Sequence, residues 1–402
     1  MGSNLWTKPG EGEPGSTYLD AELEILNTIN WDRLLSISST LRNGVHCTIS
    51  ERYSSGQFNM VRRVDFTDGV SWVARIRMPL ADFIPGGRES LSTEETIRIE
   101  IASMKLLKTK TSIPVPEVHS YNADPANDFG APYILMDYIH GTVAQDLRQE
   151  LKCARDLYGT PDQDRRFRKQ MADIQITLSS LTFDRIGSLY CDEETSEFFI
   201  GPEMETGKGP WKTSMEYYND VADHRLQVCA NHTQAELHET PSFANPILFK
   251  HLMSLYSDSK SNHGPFGLVN RDFGAHNLLV DDEFRIVGVI DFDGMMAAPI
   301  EVVAQYPVLT GLDRETPFYT ETNPYALERI EVTKPKLIEY KQMLKAAESR
   351  IGGGGSTVAD TLMSTAADVY GGLMDYDYHA VPVNNRWMEA YTILLYNRVK
   401  SD

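Results

Sequence analysis

Residues 267–299 read GLVNRDFGAHNLLVDDEFRIVGVIDFDGMMAAP. Two short apolar runs, Leu278 to Val280 and Arg285 to Ile290, flank the turn dipeptide Asp281-Asp282, which predicts a small hairpin. Asp272 falls in the loop ahead of it, Asn277 at the start of its first strand and Asp291 at the end of its second. One hairpin therefore draws together a carboxylate, an amide oxygen and a second carboxylate. Hard oxygen donors of this kind suit Mg²⁺, which keeps several waters and takes one or two protein groups beside the phosphate oxygens of a substrate. The set implies a bound nucleotide.

Upstream, the chain predicts consecutive antiparallel strands over His46 to Tyr53, Phe58 to Phe66 and Val70 to Met78, with Asp68-Gly69 as the tight turn between the last two. Alternation along the third strand sends Trp72, Ala74 and Ile76 to one face and Val73, Arg75 and Arg77 to the other. A helix follows, announced by Ser92 and Glu95 as a capping box. Its apolar stripe is Ile97, Ile101 and Met104, and Glu100 lies within that stripe, where a carboxylate requires a cation. Ile113-Pro114-Val115-Pro116 enforces extended chain before the apolar strand Tyr133 to Met136. Beyond Tyr138-Ile139-His140-Gly141 the patterns lengthen into helices over 142–157, 162–181 and 245–257.

The order Asn270-Arg271-Asp272, Asn277, then Asp291-Phe292-Asp293-Gly294 resembles the catalytic and metal-binding loops of the protein-kinase-like fold. The short gap between the two motifs and the ending Ala298-Pro299 are most similar to the aminoglycoside phosphotransferase family, its fungal members above all. The resemblance covers nearly all of residues 40–310. It implies an α+β, two-lobed fold: a small antiparallel-sheet lobe with one helix over residues 1–139, of which 1–40 is an extension, and a larger, mostly helical lobe over 140–402. It also implies transfer of the γ-phosphoryl group of ATP, with Mg²⁺, to a hydroxyl of a small molecule, an aminoglycoside-like compound or another amine or sugar.

In that resemblance Asp272 is the catalytic base, and Asn277 and Asp291 bind the metal. Arg75 stands where kinases carry the strand lysine and pairs with Glu100 and the phosphates, with Arg77 on the same face as its rival. The loop Ser54-Ser55-Gly56-Gln57 offers small residues, Ser55 and Gly56 chief among them, where backbone amides approach phosphate oxygens. The segment YILMDYIHG is the hinge, with the Asp137 carbonyl and the Ile139 amide reading the adenine edge. Two departures stand out: Asn270 replaces a histidine that supports loop geometry, and Asp293 is acidic where kinases have glycine. Asn270 also admits a catalytically silent relative that binds a nucleotide or a partner. Taken singly, each station has an ordinary reading as a turn, cap or surface residue. The two motifs in order, joined by a hairpin, are much harder to obtain by accident.

Composition narrows the partners. Lys and Arg number 38 against 57 Asp and Glu, and the net charge of −19 repels nucleic-acid phosphates and anionic membranes while favouring a cationic acceptor. The four cysteines are too far apart for a C-x-x-C site, which predicts free thiols in a reducing compartment. With no secretory or Arg-rich leader pattern and no apolar run near membrane length, a cytoplasmic location is expected. His276 and the other histidines show no metal-ligand spacing and read as loop or surface residues. Gly352 to Ser356, GGGGS, reads as a flexible tether, and Tyr376-Asp377-Tyr378 as an acidic, aromatic segment.

Overall fold

The computed structural model describes residues 6–8, 17–56, 58–78, 91–154, 157–229, 244–312, 322–351, 357–374 and 386–401. Gln57, the Gly352–Ser356 tether and Tyr376-Asp377-Tyr378 lie outside the described residues.

Helices α1 (Thr17–Thr28) and α2 (Trp31–Leu41) precede a sheet built from β1 (Cys47–Ser55), β2 (Asn59–Phe66) and β3 (Ser71–Arg77). Helix α3 (Thr93–Lys110) then leads to β4 (Val118–Asn122) and β5 (Tyr133–Asp137), and the sheet order is β1-β2-β3-β5-β4. As central strands, β3 and β5 are buried on both faces, and their alternation sorts the side chains. Trp72, Ala74, Ile76, Tyr133 and Leu135 join a core with Ile25 of α1, Leu34 of α2 and Ile29 in the link between them. Val73, Ile134 and Met136 turn the other way, onto Ile97, Ile101 and Met104 of α3 and the main core. The two N-terminal helices thus cover a sheet face that was not assigned an occupant from sequence. Helix α3 starts at the predicted capping box: the Ser92 hydroxyl accepts from the Glu95 amide at 3.3 Å, and the Glu95 carboxylate accepts from the Ser92 amide at 3.0 Å.

After β5 the chain enters β6 (Thr142–Val143), so the predicted 142–157 helix shortens to α4 (Ala144–Glu150). It stops at a turn in which Lys152 has φ +50, a conformation a helix cannot contain. Helix α5 (Pro161–Ser179) is capped by Thr160 and buries Phe167, Met171, Ile174 and Leu178 along one stripe. The later part holds more strand than the single hairpin expected: β7 (Thr182–Phe183), β8 (Gly187–Cys191), β9 (Phe198–Gly201), then α6 (Ser214–Cys229) and α7 (Asn245–Tyr256), then β10 (Phe266–Asn270). Next come β11 (Leu278–Val280), β12 (Ile286–Val289) and β13 (Met295–Ala298). Strands β7-β10-β13-β8-β9 form a second five-stranded sheet, and β12-β11-β6 a third. Helices Ile300–Val303, Pro324–Ile351, Val358–Thr361, Thr365–Met374 and Arg386–Ser401 follow.

The β11–β12 hairpin is nested inside the antiparallel pair β10–β13, in which Asn270 faces Met295. The chain leaves β10, makes a loop and the hairpin, and returns through a second loop into β13. Both loops of the motif therefore emerge side by side from one sheet edge.

Candidate active site

Asn270 ends β10 and is 3% exposed, so its amide must be paired inside the protein. Its Nδ2 donates to the Asp291 carbonyl at 2.7 Å, and its Oδ1 accepts from the Asp272 amide at 3.0 Å. One side chain thereby fastens the loop carrying Asp272 to the turn carrying Asp291, the geometric support expected at this station. Asp291 has φ +67, a left-handed conformation that costs a non-glycine residue roughly 1–3 kcal/mol and persists only where neighbours hold it. Asn270 is one such clamp. Gly294 lets the loops meet, since a Cβ there would lie 3.1 Å from Asn270 Oδ1.

Asp272 is a half-exposed carboxylate with one oxygen engaged. Asn277, at the end of the short 3-10 turn Ala275–Asn277, donates from Nδ2 to Asp272 Oδ2 at 3.0 Å and to the Asp272 carbonyl at 3.1 Å. Nε2 of His276 lies 3.0 Å from the same Oδ2. Among the described residues, Oδ1 of Asp272 receives no donor.

Arg75 replaces an apolar residue on the inner face of β3 and is 5% exposed, so its charge requires partners. Its NH2 donates to Asp291 Oδ1 at 2.8 Å, and Nε pairs with Glu100 Oε1 at 3.4 Å without meeting hydrogen-bond geometry. Arg77 sits beside it, 3.8 Å from Asp293 and over the Phe58 ring. Desolvation pushes the Asp291 carboxyl up, but Arg75 more than reverses this and holds it below the ordinary carboxylate value. For Glu100 burial wins over Arg75, and its pKa is raised. Asp293 is pushed well above its ordinary value by burial and by the neighbouring Asp291 and Glu100 charges.

The donor set fits a metal that shares its shell with phosphates. Asn277 spends Nδ2 on Asp272 and keeps Oδ1 off every hydrogen bond to the described residues, while Asp291 is held ionised. Among the described residues no group of three His, Cys, Asp or Glu could hold a metal alone. An amide oxygen and a carboxylate are instead the small set Mg²⁺ takes beside a nucleotide.

The remaining candidates lie on the first sheet. The Ser55 hydroxyl contacts the Glu22 carboxylate of α1, which also accepts from Tyr53 OH at 2.8 Å, and the Gly56 amide donates to the Asn59 carbonyl at 2.9 Å. A Cβ on Gly56 would meet nothing within 4 Å. Asp137 ends β5, its carboxylate accepting from the Glu117 amide and pairing with His119 at 2.8 Å. Ile139 packs toward the later strands, since a Cβ on Gly288 would lie 2.9 Å from Ile139 Cδ1.

A model of the phosphotransferase enzyme family matches residues 50–302, more than half the chain. The chain belongs to that family. The match spans both the Arg75 strand and the Asp272–Asp291 loops, so this phosphotransferase-family chain carries its motifs within one continuous family region. Among curated relatives it is 29% identical over 141 residues to altered inheritance of mitochondria protein 9, mitochondrial, of Debaryomyces hansenii, covering 35% of this chain and 21% of that protein. It is 28% identical over 166 residues to a subtelomeric hrmA-associated cluster protein of Aspergillus fumigatus, covering 39% and 29%. The chain thus spans under a third of these relatives' length. Solved structures similar to it include macrolide 2'-phosphotransferase MphH from Brachybacterium faecium, at 12% identity and TM-score 0.43 over 92% of this chain and 94% of that one. Another is a thermostable mutant of aminoglycoside phosphotransferase APH(4)-Ia with AMP-PNP and hygromycin B, at 15% identity and TM-score 0.44 over 85% and 91%.

Sequence reasoning missed three contributors to this site. His276 stands in a loop, as expected, but it contacts Asp272, and the signal was its spacing four residues beyond that aspartate. Glu203 and Glu205 hold Arg271, with NH2 donating to Glu203 at 2.6 Å and NH1 to Glu205 at 3.3 Å. They come from the segment after β9, 66 to 68 residues upstream, and no local pattern connects them to the motif.

Proposed function

We propose that this chain transfers the γ-phosphoryl group of ATP to a hydroxyl of a small amine- or sugar-class molecule. The observation that carries this reading is the Asp272 carboxylate, one oxygen pinned by Asn277 and the other unengaged, in a loop bolted through Asn270 to the Asp291 turn. In this mechanism the unengaged oxygen orients the acceptor hydroxyl and takes its proton as the new oxygen–phosphorus bond forms and the bond to the leaving diphosphate breaks. Arg75 offers its guanidinium to the phosphates, and Glu100 keeps it aimed. Asn277 and Asp291 would hold Mg²⁺, which would supply positive charge to offset that of the phosphates. Ser55, Gly56, Asp137 and Ile139 are assigned to the phosphate loop and the adenine edge. Positioning and electrostatics supply the acceleration, with no covalent step on the protein.

A second reading, a catalytically silent kinase-like relative that binds a nucleotide or a partner, draws on the Glu22 carboxylate resting on Ser55, which disfavours the phosphate placement that transfer requires. One experiment separates the two. Phosphate transfer from Mg·ATP is assayed over a panel of aminoglycosides, amino alcohols and amino sugars, beside nucleotide binding by thermal shift. The transferase reading expects transfer to a panel member, and Asp272→Asn lowering its kcat by about 10²–10⁴-fold with nucleotide binding intact. Nucleotide binding with no transfer, or a fully active Asp272→Asn, would sink it.

A further inference from the structure

We propose that His276 is a positioning residue for Asp272: with its proton on Nε2, it donates to Oδ2 and holds the carboxylate so that the other oxygen meets the acceptor. This inference rests on the phosphotransfer reading and adds to it a residue that acts through the base. Three atoms form a nearly equilateral triangle: Asp272 Oδ2, Asn277 Nδ2 and His276 Nε2, with sides of 3.0, 3.0 and 3.1 Å. The 3.1 Å side is a contact in which the amide could also donate to Nε2, but Nδ2 carries two hydrogens, and both are spent on Asp272, one on Oδ2 and one on the backbone carbonyl.

The other ring nitrogen decides the tautomer. Nδ1 of His276 is buried and has no hydrogen-bond partner among the described residues. A proton on Nδ1 would leave a buried N–H unmet and would aim the Nε2 lone pair at the lone pairs of Oδ2, 3.0 Å away. A proton on Nε2 leaves only an unmet acceptor and turns the short contact into a charge-assisted hydrogen bond. The consequence is mechanical. With Asn277 and His276 both on Oδ2, the carboxylate cannot rotate without losing two donors at once.

The inference extends to the roles of neighbouring residues. Asn277 is shared between Asp272 and the proposed metal, so on its own it would let the carboxylate follow any movement of the metal site. His276 has no such second duty. It is an anchor for Asp272 that stays in place whatever occupies Asn277 Oδ1.

The test has a spectroscopic arm and a kinetic arm, both on the full chain. Long-range ¹H–¹⁵N correlation on protein labelled at histidine, with His276→Asn for assignment, reads the tautomer directly; Nε2–H is expected. In the kinetic arm, His276→Phe lowers kcat for Mg·ATP turnover roughly tenfold to a hundredfold, as loss of a hydrogen bond to a charged group does, while the affinity for Mg·AMP-PNP is unchanged. His276→Gln, which retains an N–H donor, recovers part of the loss. A proton on Nδ1 in the wild type overturns the inference, and so does wild-type kcat in His276→Phe. Should His276→Phe fail to fold, the tautomer and the Gln variant still decide. If Nε2–H is found in a protein that turns over no ATP with any acceptor, the contact stands and it is the phosphotransfer reading that falls.

Discussion

Two arginines flank the Asp272 loop, each facing two carboxylates, and they are wired in opposite ways. Arg75 reaches Glu100 on α3 and Asp291 in the turn before β13, groups brought together from separate elements. Its Nε lacks a well-aligned acceptor, and 29% of the Asp291 side chain remains exposed. Arg271 instead reaches Glu203 and Glu205, two positions of one segment. Glu203 has no exposed surface and accepts also from the Glu205 and Thr206 amides and the Thr206 hydroxyl, while Glu205 is shared with Arg225 at 2.9 Å. In the Arg271 cluster each carboxylate has further partners of its own, and only Arg271 and Glu205 keep some exposure, 14% and 16% of their side chains. Under the proposed function the Arg75 cluster exchanges one carboxylate for a phosphate, while the Arg271 cluster stays an ion pair.

The contrast can be broken by removing one carboxylate or one cation. Glu203→Ala leaves Arg271 buried with half its partners and three donors of the 203–206 turn unmet, and should destabilise the fold by about 3–5 kcal/mol. Chemical denaturation measures this; a loss under 1 kcal/mol would mean the Arg271 cluster is not structural. Arg75→Met should cost less stability, because Glu100 is already biased toward its neutral form by burial and can take a proton when the cation goes. Its effect belongs to the nucleotide: calorimetry with Mg·AMP-PNP is expected to show affinity lowered roughly tenfold to a hundredfold. Were Arg75→Met the more destabilised and the tighter binder of the two variants, the comparison would be inverted.

The same two clusters mark how far the sequence could be read. Glu100 stood out because it interrupts a helix's apolar stripe, where a charge requires a partner, whereas Arg75, on a strand face shared with Arg77, was singled out by the family resemblance. Asp272, Asn277 and Asp291 were grouped by order and spacing, and their roles came from the same resemblance. The second five-stranded sheet was not, since β13, Met295–Ala298, is buried at every position and shows no alternation to distinguish strand from helix. Nor were Glu203 and Glu205, whose partner lies more than sixty residues away, or α1 and α2 as the cover of the first sheet. Asn270 was read as a departure from the histidine that supports loop geometry. Its two hydrogen bonds explain why the loops keep their geometry without the histidine.

The smallest expected effect sharpens the comparison most, because Glu205 of one cluster and Glu100 of the other shift in opposite directions. Glu205 has a folded pKa below its ordinary 4.5: burial raises it, and Arg225, then Arg271 and His224, more than compensate. The unfolded chain therefore binds this proton first as pH falls, so the stability that Glu205 contributes is present above about pH 4.5 and is lost below it. Glu100 has a folded pKa above its ordinary 4.5, because burial outweighs Arg75. Here the native state binds the proton first, and stability declines as pH rises through the window above 4.5. Glu205→Gln should flatten the acid limb of the stability–pH curve, and Glu100→Gln should relieve the decline above pH 4.5, each by on the order of 1 kcal/mol. Denaturation midpoints from pH 3 to pH 8 read both slopes. Equal signs would mean that Arg75 offsets the burial of Glu100 as Arg225 and Arg271 offset that of Glu205, and the contrast between these two glutamates would have no energetic basis.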